Sequence, residues 1–372
     1  MFYTDFMNLA NPVFTEYEQA VIRQIAKHRV RPNLVQRVLS TAGKPVVKLF
    51  QMGRDSDHPA IRGVSDRVNA WVQEGLIKTV QVANHITGTQ EITRRFAKRG
   101  IHANNIESLR YLPISQLDTV ANSFRFRSSM LLGAEGLLLG GATTIVEGIP
   151  GAQLIIPSLI LADVTTSMTL LSRHTCRIAS TYGFSSKNPE NLPHILAAMA
   201  PQTGSSDEGY LTIKAAVVTS IRESSQFMSR TAGVLIDRNL LEREAPQMVR
   251  LIAYVADRLG VVVTEKELGL LVPIAGALLN SSINLSFQQL GHQTAQDYFR
   301  RLILEERYGE ELVAYAIAQE IELLRKKKPA PKPERNPARL SVVPEQPLLP
   351  ESLDSSKASD SSEDSDFQAP SA

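Results

Sequence analysis

Residues 64–80 read VSDRVNAWVQEGLIKTV, and this stretch decides the fold class. Val64, Val68, Trp71, Val72, Leu76 and Val80 recur at spacings of three and four, while Asp66, Arg67, Gln73 and Lys78 fall elsewhere on the wheel. A single apolar stripe at that period marks an amphipathic helix with one face turned to a core. Working outward, the same signature returns. Glu91 to Arg99 places Ile92 and Phe96 four apart and runs into Lys98-Arg99-Gly100. Basic residues in a last turn followed by glycine form a helix stop. Leu240 to Leu259 reads as a helix closed by Gly260, and Ala295 to Leu324 as a long helical stretch interrupted at Tyr308-Gly309. Strand alternation is scarce, and Val261-Val262-Val263 is too short to build a sheet. The pattern predicts an all-α body, a multi-helix globular bundle with no repeat at any solenoid period.

The 372 residues can bury a sizeable core without covalent staples. Cys176 is the only cysteine, which excludes an intramolecular disulfide and any multi-cysteine metal centre. The start, Met1-Phe2-Tyr3-Thr4-Asp5-Phe6-Met7, lacks the basic and apolar regions of a secretory signal, so ordinary export is not expected. Net charge is +2, but it averages two unlike parts. Beyond Lys328 lie four basic and eight acidic residues, which leaves 36 and 30 in the body, so a body of +6 precedes a tail of −4. That tail, rich in Pro, Ser and acidic residues, cannot bury enough apolar surface to offset its ordering entropy and is expected to be disordered. The run Arg325-Lys326-Lys327-Lys328 before it reads either as the end of the last helix, where cations complement the carbonyl end of the dipole, or as a basic contact for a partner or lipid.

Two apolar segments interrupt the amphipathic pattern. One runs from Met130 to Leu171 and is studded with Gly133, Gly136, Gly140, Gly141, Gly148 and Gly151; the other begins LGLLVPIAGALLNSSINLSF at Leu268. A membrane-spanning helix needs about 20 largely apolar residues. Glu135, Glu147 and Asp163 leave uncharged stretches of only 11 and 15 residues in the first segment, and Pro150 and Pro157 break it. In the second, the apolar run gives way to Asn280-Ser281-Ser282. Three arrangements stay open: a buried helical hairpin, a hairpin that docks on or dips into a bilayer, and a true span. Arg125 and Arg127 before the first segment, and Arg173 and Arg177 after it, are placed to meet anionic headgroups.

Leu109, Pro113, Leu117-Asp118, Glu135-Gly136, Gly140-Gly141 and Leu161-Ala162-Asp163 follow one another along the chain. Ile178-Ala179, Tyr182-Gly183-Phe184 and Pro189-Glu190 come next, then Val272-Pro273, Gly276-Ala277 and Asn280, and a helix with Ala295, Phe299 and Arg301. This order resembles the EcsC family of bacterial proteins, over roughly residues 60 to 310. One departure is that Asp163 is followed by Val164-Thr165 where the family often has proline. The resemblance implies a helical, membrane-associated protein tied by gene context to an ABC transporter, to transport or to secretion, and it brings no catalytic residues. Its motif positions that fall here on Asp118, Glu135, Gly136, Gly140, Gly141, Asp163, Tyr182, Gly183, Pro273, Gly276 and Asn280 are the candidate functional residues. On this basis the chain divides into an N-terminal helical extension (1–52), an EcsC-like helical domain (53–328) and the tail (329–372).

Signatures of known chemistries are scarce. The seven histidines show no metal-ligand spacing, and His174 and Cys176, two apart, lie on different faces of a helix. The sequence has no nucleophile elbow, Walker loop or dinucleotide fingerprint. Arg94, Arg95, Lys98 and Arg99 fit a solvated helix end better than a nucleic-acid reader, so no nucleic-acid partner is expected. No cofactor or metal is expected either. Glu135, Glu147 and Asp163 stand out, because charges within apolar segments need partners. They either cap helices or pair with Arg125, Arg127, Arg173 or Arg177, or form an acid–base cluster for a lipid or peptide hydrolase using Asp163 or Glu135.

The expectation is a non-enzymatic accessory protein, cytoplasmic and peripheral to the inner face of a membrane, with a lipid or transporter partner and a tail able to contact a basic protein. The rival readings are that hydrolase and a protein exported by a specialised secretion system with its tail as the signal.

Overall fold

The computed structural model describes residues 13–31, 34–35, 37, 59–82, 89–124, 156–202, 206–231, 234, 236–270 and 276–326. The tail beyond Lys328, residues 130–155 of the first apolar segment and 271–275 of the second lie outside these residues, so the tail's expected disorder and the hairpin's arrangement fall outside them too.

The first helix, α1 (Glu16–Val30), begins with a capping box. The Thr15 hydroxyl accepts from the Glu18 backbone N–H while the Glu18 carboxylate accepts from the Thr15 N–H, so two otherwise orphaned donors are satisfied at once. It buries Val21, Ile22, Ile25, Ala26 and Arg29 at helical spacing. At Arg31 the backbone turns extended, the conformation a following proline (Pro32) imposes.

Helix α2 (Pro59–Val82) carries the apolar stripe of residues 64–80: Val68, Val72, Leu76 and Val80 are fully buried. Helix α3 (Thr89–Ala97) stops as expected. Gly100 takes φ +77°, its N–H donates to the Ala97 carbonyl and that of Ile101 to the Phe96 carbonyl, the two bonds of a Schellman turn. A short 3-10 turn (Glu107–Tyr111) leads to α4, residues 114–124. Then come α5 (Ile156–Thr181), a 3-10 turn (Pro189–Asn191) with α6 (Leu192–Ala197), α7 (Glu208–Arg230), α8 (Arg238–Glu244), α9 (Pro246–Leu270), α10 (Gly276–Tyr308) and α11 (Glu310–Lys326). The described residues form helices and no strand, and the protein is all-α.

Two boundaries differ from expectation. Leu240 to Leu259 is not one helix closed by Gly260: α8 ends at Glu244 and α9 begins at Pro246. Proline has no N–H to donate and suits a first turn, and Glu223 accepts from the freed Gln247 and Met248 N–H groups at 2.8 and 3.1 Å. Gly260 sits inside α9, where a Cβ would come within 3.1 Å of the Asn69 side chain on α2; it serves close helix packing, not termination. The interruption at Tyr308-Gly309 is real: α10 ends, Gly309 takes φ +89°, and α11 follows to Lys326, with Arg325 and Lys326 in its last turn. Val261 to Val263 is helical.

Helix α10 packs against α1, α5, α9 and α11, α9 packs also against α2 and α7, and α2 lies against α5. A run of aromatic contacts fills the space between α5, α6, α7 and α10. Phe184 meets Phe299 with ring centres 5.0 Å apart, Phe299 meets Tyr298 edge-on at 5.3 Å, and Tyr298 meets Tyr210 at 6.1 Å. Among the described residues, no helix is long and apolar enough to cross a membrane.

Candidate functional site

Around residue 300, α10 has an apolar sequence, Tyr298-Phe299 and Leu302-Ile303-Leu304, with Arg300-Arg301 in its middle. Both arginines are buried. Because neighbouring positions on a helix point about 100° apart, each arginine organises its own charge cluster.

Arg300 faces Asp118 on α4. Its Nε and Nη2 donate to Asp118 Oδ1 and Oδ2 at 2.9 Å each, a bidentate fork between side chains only 4% and 1% exposed. Tyr17 donates its hydroxyl to Asp118 Oδ2 at 2.6 Å, and Tyr182 donates to Oδ1. Gln24 on α1 accepts from Arg300 Nη1 at 3.2 Å. Burial works against the Arg300 charge, but the Asp118 carboxylate, by charge and by hydrogen bond, helps to offset it, and the Arg300 pKa is raised. Tyr182 is pushed well above the usual phenol range, first by burial, so its hydroxyl stays a donor.

The Tyr182-Gly183-Phe184 motif explains how that tyrosine arrives. It is a Schellman turn closing α5: Gly183 N–H donates to the Ser180 carbonyl at 3.2 Å and Phe184 N–H to the Ala179 carbonyl at 2.9 Å. Gly183 takes φ +88°, and a Cβ there would lie 2.7 Å from the Arg110 backbone nitrogen. On the far side of the turn the Arg110 guanidinium stacks 3.9 Å above the Phe184 ring.

Arg301 faces Asp207, before α7. Its Nη1 and Nη2 donate to the two Asp207 oxygens at 2.6 and 2.7 Å, and Arg29 from α1 donates to Asp207 Oδ1 at 2.7 Å. Arg301 Nε donates to Glu305, which also accepts from Tyr210 at 2.9 Å and Lys214 at 2.7 Å. The Arg301 guanidinium lies 3.4 Å above the Tyr210 ring. Burial raises Asp207, yet Arg301 and Arg29 together hold it below the usual carboxylate range.

A third group adjoins the first. The buried His174 (α5) and His292 (α10) share a hydrogen bond, Nε2 to Nδ1, at 2.8 Å. Burial, with Arg177 adding, pushes His174 down to about 4, so the ring is neutral at neutral pH. Cys176 is buried, and burial pushes its thiol up to about 12, away from nucleophilic chemistry.

Of the candidate residues read from sequence, Asp118, Tyr182 and Gly183 come together. Asp163 is buried on α5, away from that group. Arg173 and Arg177 share α5 with it, ten and fourteen residues on, about 15 Å or more along the axis, and so are out of reach as its ion-pair partners. Gly276 and Asn280 lie in the first turns of α10. Glu135, Gly136, Gly140, Gly141, Glu147, Arg125, Arg127 and Pro273 lie outside the described residues.

A model of the EcsC protein family matches residues 19–303, most of the chain. The chain belongs to the EcsC protein family. The match takes in α1, which the resemblance noted from sequence, starting near residue 60, did not reach. No curated protein and no solved structure matches the chain. In this EcsC protein the sequence reading missed Tyr17, Asp207, Glu305 and the role of Arg300. Charges within an apolar run need partners, and that signal was present at Arg300-Arg301 as plainly as at Glu135 or Asp163.

Proposed function

We propose that this EcsC-family protein works at the inner face of a membrane as an accessory that binds a lipid or a partner and does not itself catalyse a reaction, in the service of a transporter or secretion machine. One observation carries the reading. The strongest buried charges are tied to one another: Asp118 to Arg300 and two tyrosines, Asp207 to Arg301 and Arg29, Glu305 to Arg301, Lys214 and Tyr210. Groups engaged this way fix the mutual positions of α1, α4, α7 and α10, as a rigid binding scaffold requires, and are poorly placed to exchange protons with a substrate.

A body of +6 favours an anionic lipid surface, with the exposed Arg173 and partly exposed Arg177 on α5 among its contacts. The acidic tail then serves as a contact for a basic partner.

Fractionation of cells producing the full chain tests this. The protein should sediment with membranes and be released by high salt or alkaline carbonate, since surface attachment is screened by ions. A protein that stays in the supernatant throughout, or that resists carbonate, contradicts surface attachment.

A further inference from the structure

A partly open cavity of about 190 Å³ lies between the last turn of α1 and the face of α10 that carries Arg301. Pockets for drug-sized ligands run to about 300–1,000 Å³, so this one suits a small group. Its lining includes Lys27, Arg29, Arg31, Arg37 and Arg301. Among the described residues of that lining the one carboxylate is Asp297, engaged by His28 at 2.6 Å and by Arg300 at 3.5 Å.

Basic residues at the end of a helix ordinarily do no more than complement its dipole from solvent. Lys27 and Arg31 are exposed and fit that account; Arg29 does not. It is 6% exposed, and its Nε, buried, has no hydrogen-bond partner although the rest of the guanidinium donates to Asp207 and the Ser206 carbonyl. Arg29 and Arg301 share the Asp207 carboxylate, and Lys27 and Arg31 stand in the same lining, so positive charge is in excess here.

We propose that this cavity binds a phosphate-bearing ligand, with Arg29 and Arg301 at its inner wall and Lys27 and Arg31 at its mouth. Thr294 and Gln293 in the same wall supply neutral donors. A phosphate monoester brings about two negative charges and three acceptor oxygens, which matches an excess of cations flanked by hydroxyl and amide groups. The same chemistry is offered by the headgroup of an anionic lipid and by a soluble phosphate ester. The site stands independently of membrane attachment.

Calorimetric titration of the full chain with inorganic phosphate and with glycerol 3-phosphate, at low ionic strength, tests the site. Saturable binding is expected, and Lys27→Gln with Arg31→Gln should weaken it at least about tenfold, the value of one charge-assisted hydrogen bond, with the cooperative unfolding transition retained. No saturable binding of either probe, or equal binding by the double variant, overturns the proposal. Flotation on phosphatidylcholine vesicles with and without phosphatidic acid then separates the sources. Binding to the acidic vesicles that glycerol 3-phosphate displaces supports the site as a headgroup site. Phosphate binding with no flotation supports it as a soluble-ester site and removes membrane attachment alone. Flotation with no phosphate binding overturns the cavity and leaves membrane attachment standing.

Discussion

Tyr17 and Asp118 meet across 101 residues of sequence, the tyrosine hydroxyl donating to the carboxylate at 2.6 Å. Two further contacts repeat the pattern at the same helix: Glu18 accepts from Tyr308 at 2.8 Å and from Arg307 at 3.3 Å. Helix α1 is thus fastened by its first turn to Asp118 and to the C-terminal end of α10, and by Arg29 in its last turn to Asp207, in addition to its packing on α11.

The Tyr17 contact predicts that Tyr17→Phe loosens α1 selectively. Removing a hydroxyl that donates to a buried carboxylate costs about 1.5–3 kcal/mol. Hydrogen exchange should show the amides of α1 losing protection ahead of those in α9, and urea unfolding should give the loss in stability. A variant whose α1 exchanges as in the parent would show that the bond contributes nothing.

Gly183 and Gly309 share a left-handed backbone, φ +88° and +89°, but not their surroundings. A Cβ at Gly309 meets nothing within 4 Å, whereas one at Gly183 meets the Arg110 backbone at 2.7 Å. Gly309→Ala should therefore cost about 1–2 kcal/mol, the backbone penalty alone. Gly183→Ala should cost clearly more, because it also displaces Tyr182 from Asp118. Equal melting temperatures for the two variants would contradict the role given to the Tyr-Gly turn.

Stability should fall as the solution is acidified from neutrality. His174 and His194 are pushed down to about 4 by burial first, with Arg177 adding at His174 and Arg110 and Lys214 at His194. Unfolded, each titrates near 6.5, so between about pH 6.5 and 4 the unfolded chain binds more protons than the folded one. Stability from these groups is complete above about 6.5 and is lost as pH falls toward 4, by about 1.4 kcal/mol per pH unit for each ring. Urea unfolding at pH 7 and pH 5 measures this, and a pH-independent midpoint across that range would rule it out.

Amphipathic period made the helical architecture legible: the stripe from Val68 to Val80, the stop at Gly100 and the break at Gly309 are all local in sequence. The Ala245-Pro246 break was missed because the apolar period runs on across it, and Gly260 misled because a glycine that admits a neighbouring helix looks the same as one that ends a helix. The charge clusters were the least legible. Asp118 and Tyr182 could be singled out by motif, but their meeting with Arg300 joins positions 182 and 118 residues apart, set by tertiary packing alone. Arg29 was not singled out, since nothing local in Lys27-His28-Arg29 marks it as the one that packs against Asp207.

A double-mutant cycle on Asp118 and Arg300 measures whether the interior charges are ties and not catalysts. Asp118→Asn and Arg300→Gln should each lower the unfolding free energy by about 3–5 kcal/mol, because either leaves a buried group uncompensated. The double variant should lose clearly less than the sum, with a coupling of at least about 1 kcal/mol, since the two side chains share the bonds being removed. Single variants that unfold at the parental urea midpoint, with additive effects, would contradict the account.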